Sequence, residues 1–140
     1  MSAEMLTGYK VGDGMTKKPI AVSPYASIKE CAALMAANNV GSLIVQEGAR
    51  LAGYINDDLI ISEIFAKDLD AETTRATDIM LKEVPTIEPD KDLGEALMMM
   101  KEFEVKHLPV VANGELVGLL TAKDALKMQP QLFELMVDKI

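Results

Sequence analysis

Cysteine and histidine occur once each, as Cys31 and His107, and tryptophan is absent. One cysteine excludes an intramolecular disulfide, and one cysteine with one histidine leaves too few ligands for a zinc or iron–sulfur cluster. Arginine is confined to Arg50 and Arg75, aromatics to three tyrosines and three phenylalanines, and 22 acidic against 14 basic residues leave a net charge of −8. Binding to duplex nucleic acid needs a dense basic surface, and binding to single strands needs a basic groove with stacked aromatics. This composition offers neither. No apolar run approaches the roughly 18 residues of a membrane span, and residues 1–10 lack the apolar run of a signal peptide. The expectation is a soluble, cytoplasmic protein without membrane contact. Catalytic patterns are missing too: there is no Ser-His-Asp set, no glycine-rich phosphate loop and no metal-ligand cluster, so an enzyme is not expected.

What the chain does hold is 49% hydrophobic residues over 140 positions, enough to build a core, and an internal repeat. Sliding the sequence along itself by 65 residues sets Asp13, Met15 and Lys17 on Asp78, Met80 and Lys82. Pro24, Glu30 and Met35 fall on Pro89, Glu95 and Met100. Val40, Leu43, Val45, Leu51 and Gly53 fall on Val105, Leu108, Val110, Leu116 and Gly118, and no gap is needed.

Each repeat reads as strand, helix, hairpin, helix. Residues 20–22 and 86–87 are short strands ending at Pro24 and Pro89. Ser27 with Glu30, and Asp92 with Glu95, have the capping-box spacing that starts a helix. The apolar set Ile28, Cys31, Ala32 and Met35, against Leu93, Ala96, Leu97 and Met100, then marks one helical face. Cys31 and the Met98-Met99-Met100 run are accordingly read as packing residues. Residues 43–45 with 51–55, and 108–111 with 116–120, form hairpins. Asn113-Gly114 suits a two-residue turn, and Gly48 serves a longer loop. Asn56 and Thr121 cap second helices running through Ile64 and Lys127. The charged residues 67–75 are taken as a solvated linker, since the acidic stretch 68–72 lacks the glycine turn and closing glutamate of a calcium loop. The fold class is α/β (α+β), with two β-α-β-β-α motifs packed with pseudo-two-fold symmetry into one module. The expected divisions are an N-terminal segment at 1–10, motif one at 11–66, the linker, motif two at 76–128 and an apolar C-terminal helix at 129–140. That last helix either caps the domain or packs across a dimer.

The stretches VKHLPVVANGELVGLLTAKDAL (105–126) and NNVGSLIVQEGARLAGYINDDLI (38–60) resemble the cystathionine β-synthase (CBS) domain family, whose tandem pairs are called Bateman modules. The similarity covers residues 11–128. It implies a regulatory, non-catalytic module that needs no cofactor and binds AMP, ADP, ATP or S-adenosylmethionine as a regulatory ligand in a cleft between the motifs. It also implies a homodimer that signals to a regulated protein by changing conformation. A different reading is a constitutive dimeric scaffold that binds a partner and has degenerate clefts.

In the family pattern a Ser or Thr three residues after the strand glycine and an Asp six after it face phosphate and ribose. Gly118, Thr121 and Asp124 have that spacing. A carboxylate accepts from both ribose hydroxyls, and a hydroxyl beside free N–H groups suits a phosphate oxygen. The same spacing also describes a plain capping arrangement, and both readings stand at this point. Thr86, Lys106, His107 and Pro109 match positions that line adenine and sugar in the family, and Lys106 and Lys123 could answer phosphate charge. His107 reads equally as a surface histidine at a helix end. The first repeat departs from the pattern: Asn56 stands for the hydroxyl, Leu59 for the Asp, and Asp58 recovers the register only with a deletion. Together with Ala21 and Ser42 these residues make a weaker second site.

Overall fold

The structure, a computed structural model, describes residues 6–136, the last two by backbone alone. The five residues before this span and the four after it, which include part of the expected C-terminal helix, lie outside the description. In chain order the elements are α1 (Val11–Gly14), β1 (Ala21–Val22), α2 (Ile28–Asn38), β2 (Ser42–Glu47), β3 (Arg50–Asn56) and α3 (Asp57–Ile60), which continues as a π-helical turn over Ile61–Phe65. There follow α4 (Ala76–Ile79), α5 (Leu93–Phe103), β4 (His107–Ala112), β5 (Glu115–Thr121), α6 (Ala122–Met128), a 3₁₀ turn at Pro130–Leu132 and α7 (Phe133–Met136). The helix-hairpin-helix order recurs in both repeats, preceded by a strand in the first and a single bridge in the second, with mixed helix and strand content.

Local chemistry explains the boundaries. Ser27 Oγ accepts from the Glu30 N–H at 3.1 Å while Glu30 Oε1 accepts from the Ser27 N–H at 3.4 Å, the reciprocal box read from the sequence. Its counterpart is different. Asp92 caps α5 by accepting from the Gly94 N–H at 2.7 Å, and the same carboxylate takes the Thr7 and Gly8 N–H groups at 3.0 Å, so it does not make the bond to the Glu95 N–H that the capping-box spacing suggests. A carboxylate has more acceptor sites than a hydroxyl and can serve several donors at once.

Both hairpins turn in two residues. Asn113 and Gly114 have φ of 54° and 78°, the all-positive pattern of a type I′ turn. Glu47 pairs with Arg50 across Gly48 and Ala49, so the loop expected to be longer is equally tight. There Gly48 has φ of 62° and Ala49 stays out of the left-handed region, the φ pattern of a type II′ turn. In sheet terms β1 runs parallel to β2, which is antiparallel to β3. The strand expected at 86–87 is reduced to one bridge, Ile87 to Val110. Pro85 and Pro89 on either side supply no N–H to extend the ladder.

The compact units regroup the repeats. One unit joins the chain up to Pro19 with everything from Pro85 onward, and the other is Ile20–Val84. Equivalent stretches, residues 7–16 and 72–81, act as leaders that dock on the body of the opposite repeat. In the first unit named, Leu93 donates to the Tyr9 carbonyl at 2.8 Å, Val11 to Lys91 at 2.9 Å and Gly12 to Pro89 at 2.8 Å, while Thr16 and Leu119 exchange bonds of 2.8 and 2.9 Å. In the other, Ile28 donates to Thr74 at 3.0 Å, Ala76 to Ala26 and Thr77 to Pro24 both at 2.8 Å, while Tyr54 and Leu81 exchange bonds of 3.0 and 2.9 Å. The two sets match position for position. Residues 67–70 are exposed, as expected of a solvated linker, whereas the end of the stretch docks through its backbone: Lys29 also donates to the Ala71 carbonyl at 3.0 Å and its ammonium meets Glu72 at 2.9 Å. The reason is that the turn before each long helix and the outer edge of β3 or β5 carry backbone groups that need partners, and the leader supplies them.

Each unit has its own core. One gathers Ile28, Cys31 and Met35 from α2 with Leu43, Val45, Ile55, Ile60, Ile64 and Ile79. The other gathers Val11 with Leu93, Leu97 and Met100 from α5 and with Leu108, Val110, Leu120 and Ala125. The α5 face is the one read from the sequence; on α2, Ile28, Cys31 and Met35 are buried as expected but Ala32 is exposed, because the buried stripe of this helix is narrower, and burial pushes the Cys31 thiol up to about 11.

Candidate functional site

β4 and β5 are antiparallel, with His107 opposite Thr121, Pro109 opposite Leu119, and the hairpin turn at the far end. The open end therefore places His107 beside the residue where β5 becomes α6. The Lys106 carbonyl accepts from the Ala122 N–H at 2.8 Å and ties the end together. Ile87 donates to the Pro109 carbonyl at 3.1 Å, which brings Thr86 alongside. Lys106, His107, Thr121, Lys123 and Asp124, chosen on sequence, thus stand at the open end of the hairpin, and Thr86 runs beside Pro109 farther along β4. Thr86, Lys106 and Lys123 are exposed, Thr121 and Asp124 half-buried, and Pro109 buried.

Thr121 and Asp124 form a capping box. Asp124 N–H donates to Thr121 Oγ1 at 3.0 Å, and Asp124 Oδ2 accepts from the Thr121 N–H at 3.3 Å. The plain capping arrangement is therefore realised, and it holds both side chains in fixed positions at the start of α6. Only Oδ2 of the carboxylate is committed by these bonds, which leaves acceptor capacity on Asp124. His107 is half-buried, and burial, helped by the Lys106 ammonium, lowers its pKa below 6.5. At neutral pH it is an uncharged imidazole able to donate from one nitrogen and accept at the other.

The corresponding end of the other unit has different chemistry. Asn56 caps α3 by accepting from the Leu59 N–H at 2.8 Å, so Leu59 occupies the place of Asp124. Ser42 pairs with Asn56, Ala21 pairs with Ile44, and Gly41 stands where the other repeat has Lys106. Asp57 and Asp58 are both exposed, and Asp57 Oδ1 accepts from the Asp58 N–H at 2.9 Å. Tyr54 has its phenol pushed up by burial, with a hydrogen bond to Ser42 pulling the other way. Two carboxylates and no lysine stand where the second repeat sets two lysines and one carboxylate. The formal charge of these side chains is therefore +1 at one end and −2 at the other.

A cavity of about 350 Å³ lies on the second-repeat unit between the loop after Pro85, α5 and the hairpin turn. Its floor includes Ile87, Met99 and Val111, with Glu88, Lys91 and Asn113 around it. It shares Thr86 with the sequence-derived set and nothing else, because the turn residues Asn113 and Gly114 signal only backbone geometry when read in sequence. Among the described residues no group of three or more His, Cys, Asp or Glu side chains is placed to hold a metal ion, and no helix is long and apolar enough to cross a membrane.

The family model for the CBS domain matches twice, at residues 10–66 and 76–130. The chain belongs to the CBS domain family. It is 32% identical over 114 residues to the CBS domain-containing protein YhcV of Bacillus subtilis, covering 81% of each chain. An uncharacterised protein of Methanopyrus kandleri is 31% identical over 124 residues, 87% of this chain and 63% of that protein, so the present chain spans somewhat under two thirds of that relative. Among solved structures, a conserved protein from Pyrococcus horikoshii superposes with a TM-score of 0.75 at 30% identity, covering 85% of this chain and 90% of that one. The hexameric CBS-CP12 protein from bloom-forming cyanobacteria, at 19% identity and a TM-score of 0.72, covers 90% of this chain and 73% of its own, and shows the shared fold. CBS pairs of this kind are generally regulatory rather than catalytic.

Proposed function

We propose that this CBS pair is a cytoplasmic sensor of an adenosine-containing ligand, AMP, ADP, ATP or S-adenosylmethionine, held at the open end of the β4–β5 hairpin. The observation that carries the reading is the gathering of Thr121, Asp124, Lys106 and His107 at the open end of the hairpin, with a spare acceptor on Asp124 and Lys123 in the same turn of α6. In this scheme Asp124 accepts from the ribose hydroxyls, Thr121 and the lysines meet phosphate, and His107 with Thr86 and Pro109 lines the base and sugar. Ligand binding biases the packing of the module, and a regulated partner reads the change. Self-association, as a homodimer, belongs to the same proposal.

A thermal-shift titration with AMP, ADP, ATP with Mg²⁺, and S-adenosylmethionine tests this on wild type and Asp124→Ala. A ligand at about 100 times its Kd adds about 2.7 kcal/mol, and the variant should lose that increment whatever its own starting Tm. No shift with any of the four at millimolar concentration overturns the sensor reading. It would favour the second reading, a constitutive dimeric scaffold, which is supported by the acidic, Leu59-bearing end of the first repeat.

A further inference from the structure

Both leaders fasten to their hairpins through a methionine set against a glycine. A Cβ placed on Gly118 would lie 2.6 Å from the Met15 sulfur and 2.8 Å from the Thr16 carbonyl oxygen. A Cβ placed on Gly53 would lie 2.7 Å from the Met80 sulfur and 2.8 Å from the Leu81 carbonyl oxygen. The two pegs are equivalent positions in the repeat. Each stands one residue before the reciprocal pair of backbone bonds, Thr16 with Leu119 and Leu81 with Tyr54, that joins leader to strand edge.

The two thioethers differ from the methionines of the cores in one respect. Met35 and Met100 are 6% and 0% exposed, whereas Met15 and Met80, like Met98, Met99 and Met128, are half-buried. We propose that Met15 and Met80 are a matched pair of oxidation sites, and that a hydroperoxide unfastens the leaders by converting both to the sulfoxide. In the step the sulfur lone pair attacks the terminal peroxide oxygen and the O–O bond breaks. Sulfur gains the oxygen and loses two electrons, the proton of the attacked oxygen passes to the departing one, and the peroxide leaves as water or an alcohol. The product is a polar, bulkier group where the glycine surface accepts only an apolar one. Its dipole must be either buried without a partner or turned to solvent, and turning it out withdraws the peg. Leu119 lies two residues before Thr121, so release of the first leader reaches the strand that carries the candidate site. The proposal itself does not require that site to bind a ligand.

The test is graded hydrogen peroxide on the full chain, with oxidation mapped by peptide mass spectrometry and hydrogen exchange followed at Thr16, Leu119, Tyr54 and Leu81. Met15 and Met80 should oxidise before Met35 and Met100, and the four amides should then exchange about tenfold faster or more. Met15→Leu/Met80→Leu, which keeps volume and loses the sulfur, should keep its protection at the same dose. Norleucine at both positions serves if the leucine variant folds poorly. Methionine sulfoxide reductase should restore protection to the oxidised wild type. Resistance of Met15 and Met80 to peroxide overturns the proposal, as does sulfoxide at both with unchanged exchange. Equal loss of protection in the leucine variant also overturns it, by tracing the effect to another methionine such as Met128, whose sulfur packs on Gly14 of the first leader.

Discussion

Gly118→Ala adds a single methyl group, and the geometry around it sets the consequence. Gly118 sits in β5 with φ outside the left-handed region, so alanine is acceptable to the backbone and any penalty must come from overlap. Three atoms stand in the way: the Met15 sulfur at 2.6 Å, the Thr16 carbonyl oxygen at 2.8 Å and Met15 Cγ at 3.0 Å. The side chain can rotate away. The carbonyl cannot, because it is held by the Leu119 N–H at 2.9 Å. Overpacking of this kind costs about 1–3 kcal/mol, and the fixed oxygen argues for the upper half of that range. At about 2–4 °C per kcal/mol in a chain of this size, Tm should fall by roughly 4–12 °C. Gly53→Ala, with contacts of 2.7 and 2.8 Å, should fall by a similar amount. Pairing Gly118→Ala with Met15→Ala removes the sulfur but leaves the oxygen, so it should restore less stability than the single Met15→Ala loses. Thermal and urea unfolding of the four variants check this. Retention of wild-type Tm in Gly118→Ala would refute the view that the leaders clamp against a floor that excludes side chains. Gly48→Ala is the contrast, since nothing lies within 4 Å there and its cost of about 1 kcal/mol should come entirely from the φ of 62°.

Asp92→Ala removes a helix cap and the acceptor for Thr7 and Gly8, so it should cost about 1–2 kcal/mol and deprotect those two amides in hydrogen exchange. Burial works against ionisation of Asp92, but hydrogen bonds from Thr7, Gly94 and Gly8 outweigh it and hold the carboxyl below 3.8. Its contribution is therefore present above that pH and lost as pH falls through the folded value, which an acid titration of wild type and variant will show. His107, whose folded pKa lies below 6.5, is protonated first in the unfolded chain. Stability should be full above pH 6.5 and decline below it, and His107→Gln should flatten that decline in denaturant midpoints measured across pH. Cys31 is fully buried with its thiol raised to about 11, so a disulfide reagent should modify it only at the rate of unfolding; rapid reaction in native buffer would contradict its place in the core.

The sequence by itself determined the repeat, the order of elements in each copy and most of the core. These follow from short-range rules: the i, i+3, i+4, i+7 faces of α2 and α5, the Asn113-Gly114 turn, and the caps at Ser27, Asn56 and Thr121. It also set Thr121 and Asp124 together at the start of α6, because spacing within one strand-to-helix junction is local information. Tertiary structure decided what local pattern cannot encode. Residues 67–75 read as a linker because their charges suit solvent, yet their carbonyls meet the N–H groups of Ile28 and Lys29, bonds between segments more than forty residues apart. Asp92 has the spacing of a capping box, but the arrival of Thr7 and Gly8, distant in sequence, redirects its carboxylate. The regrouping of the repeats has the same cause. Periodicity assigns a residue to a face of its own element, whereas the partner that satisfies a strand edge is fixed only when the chain has closed on itself.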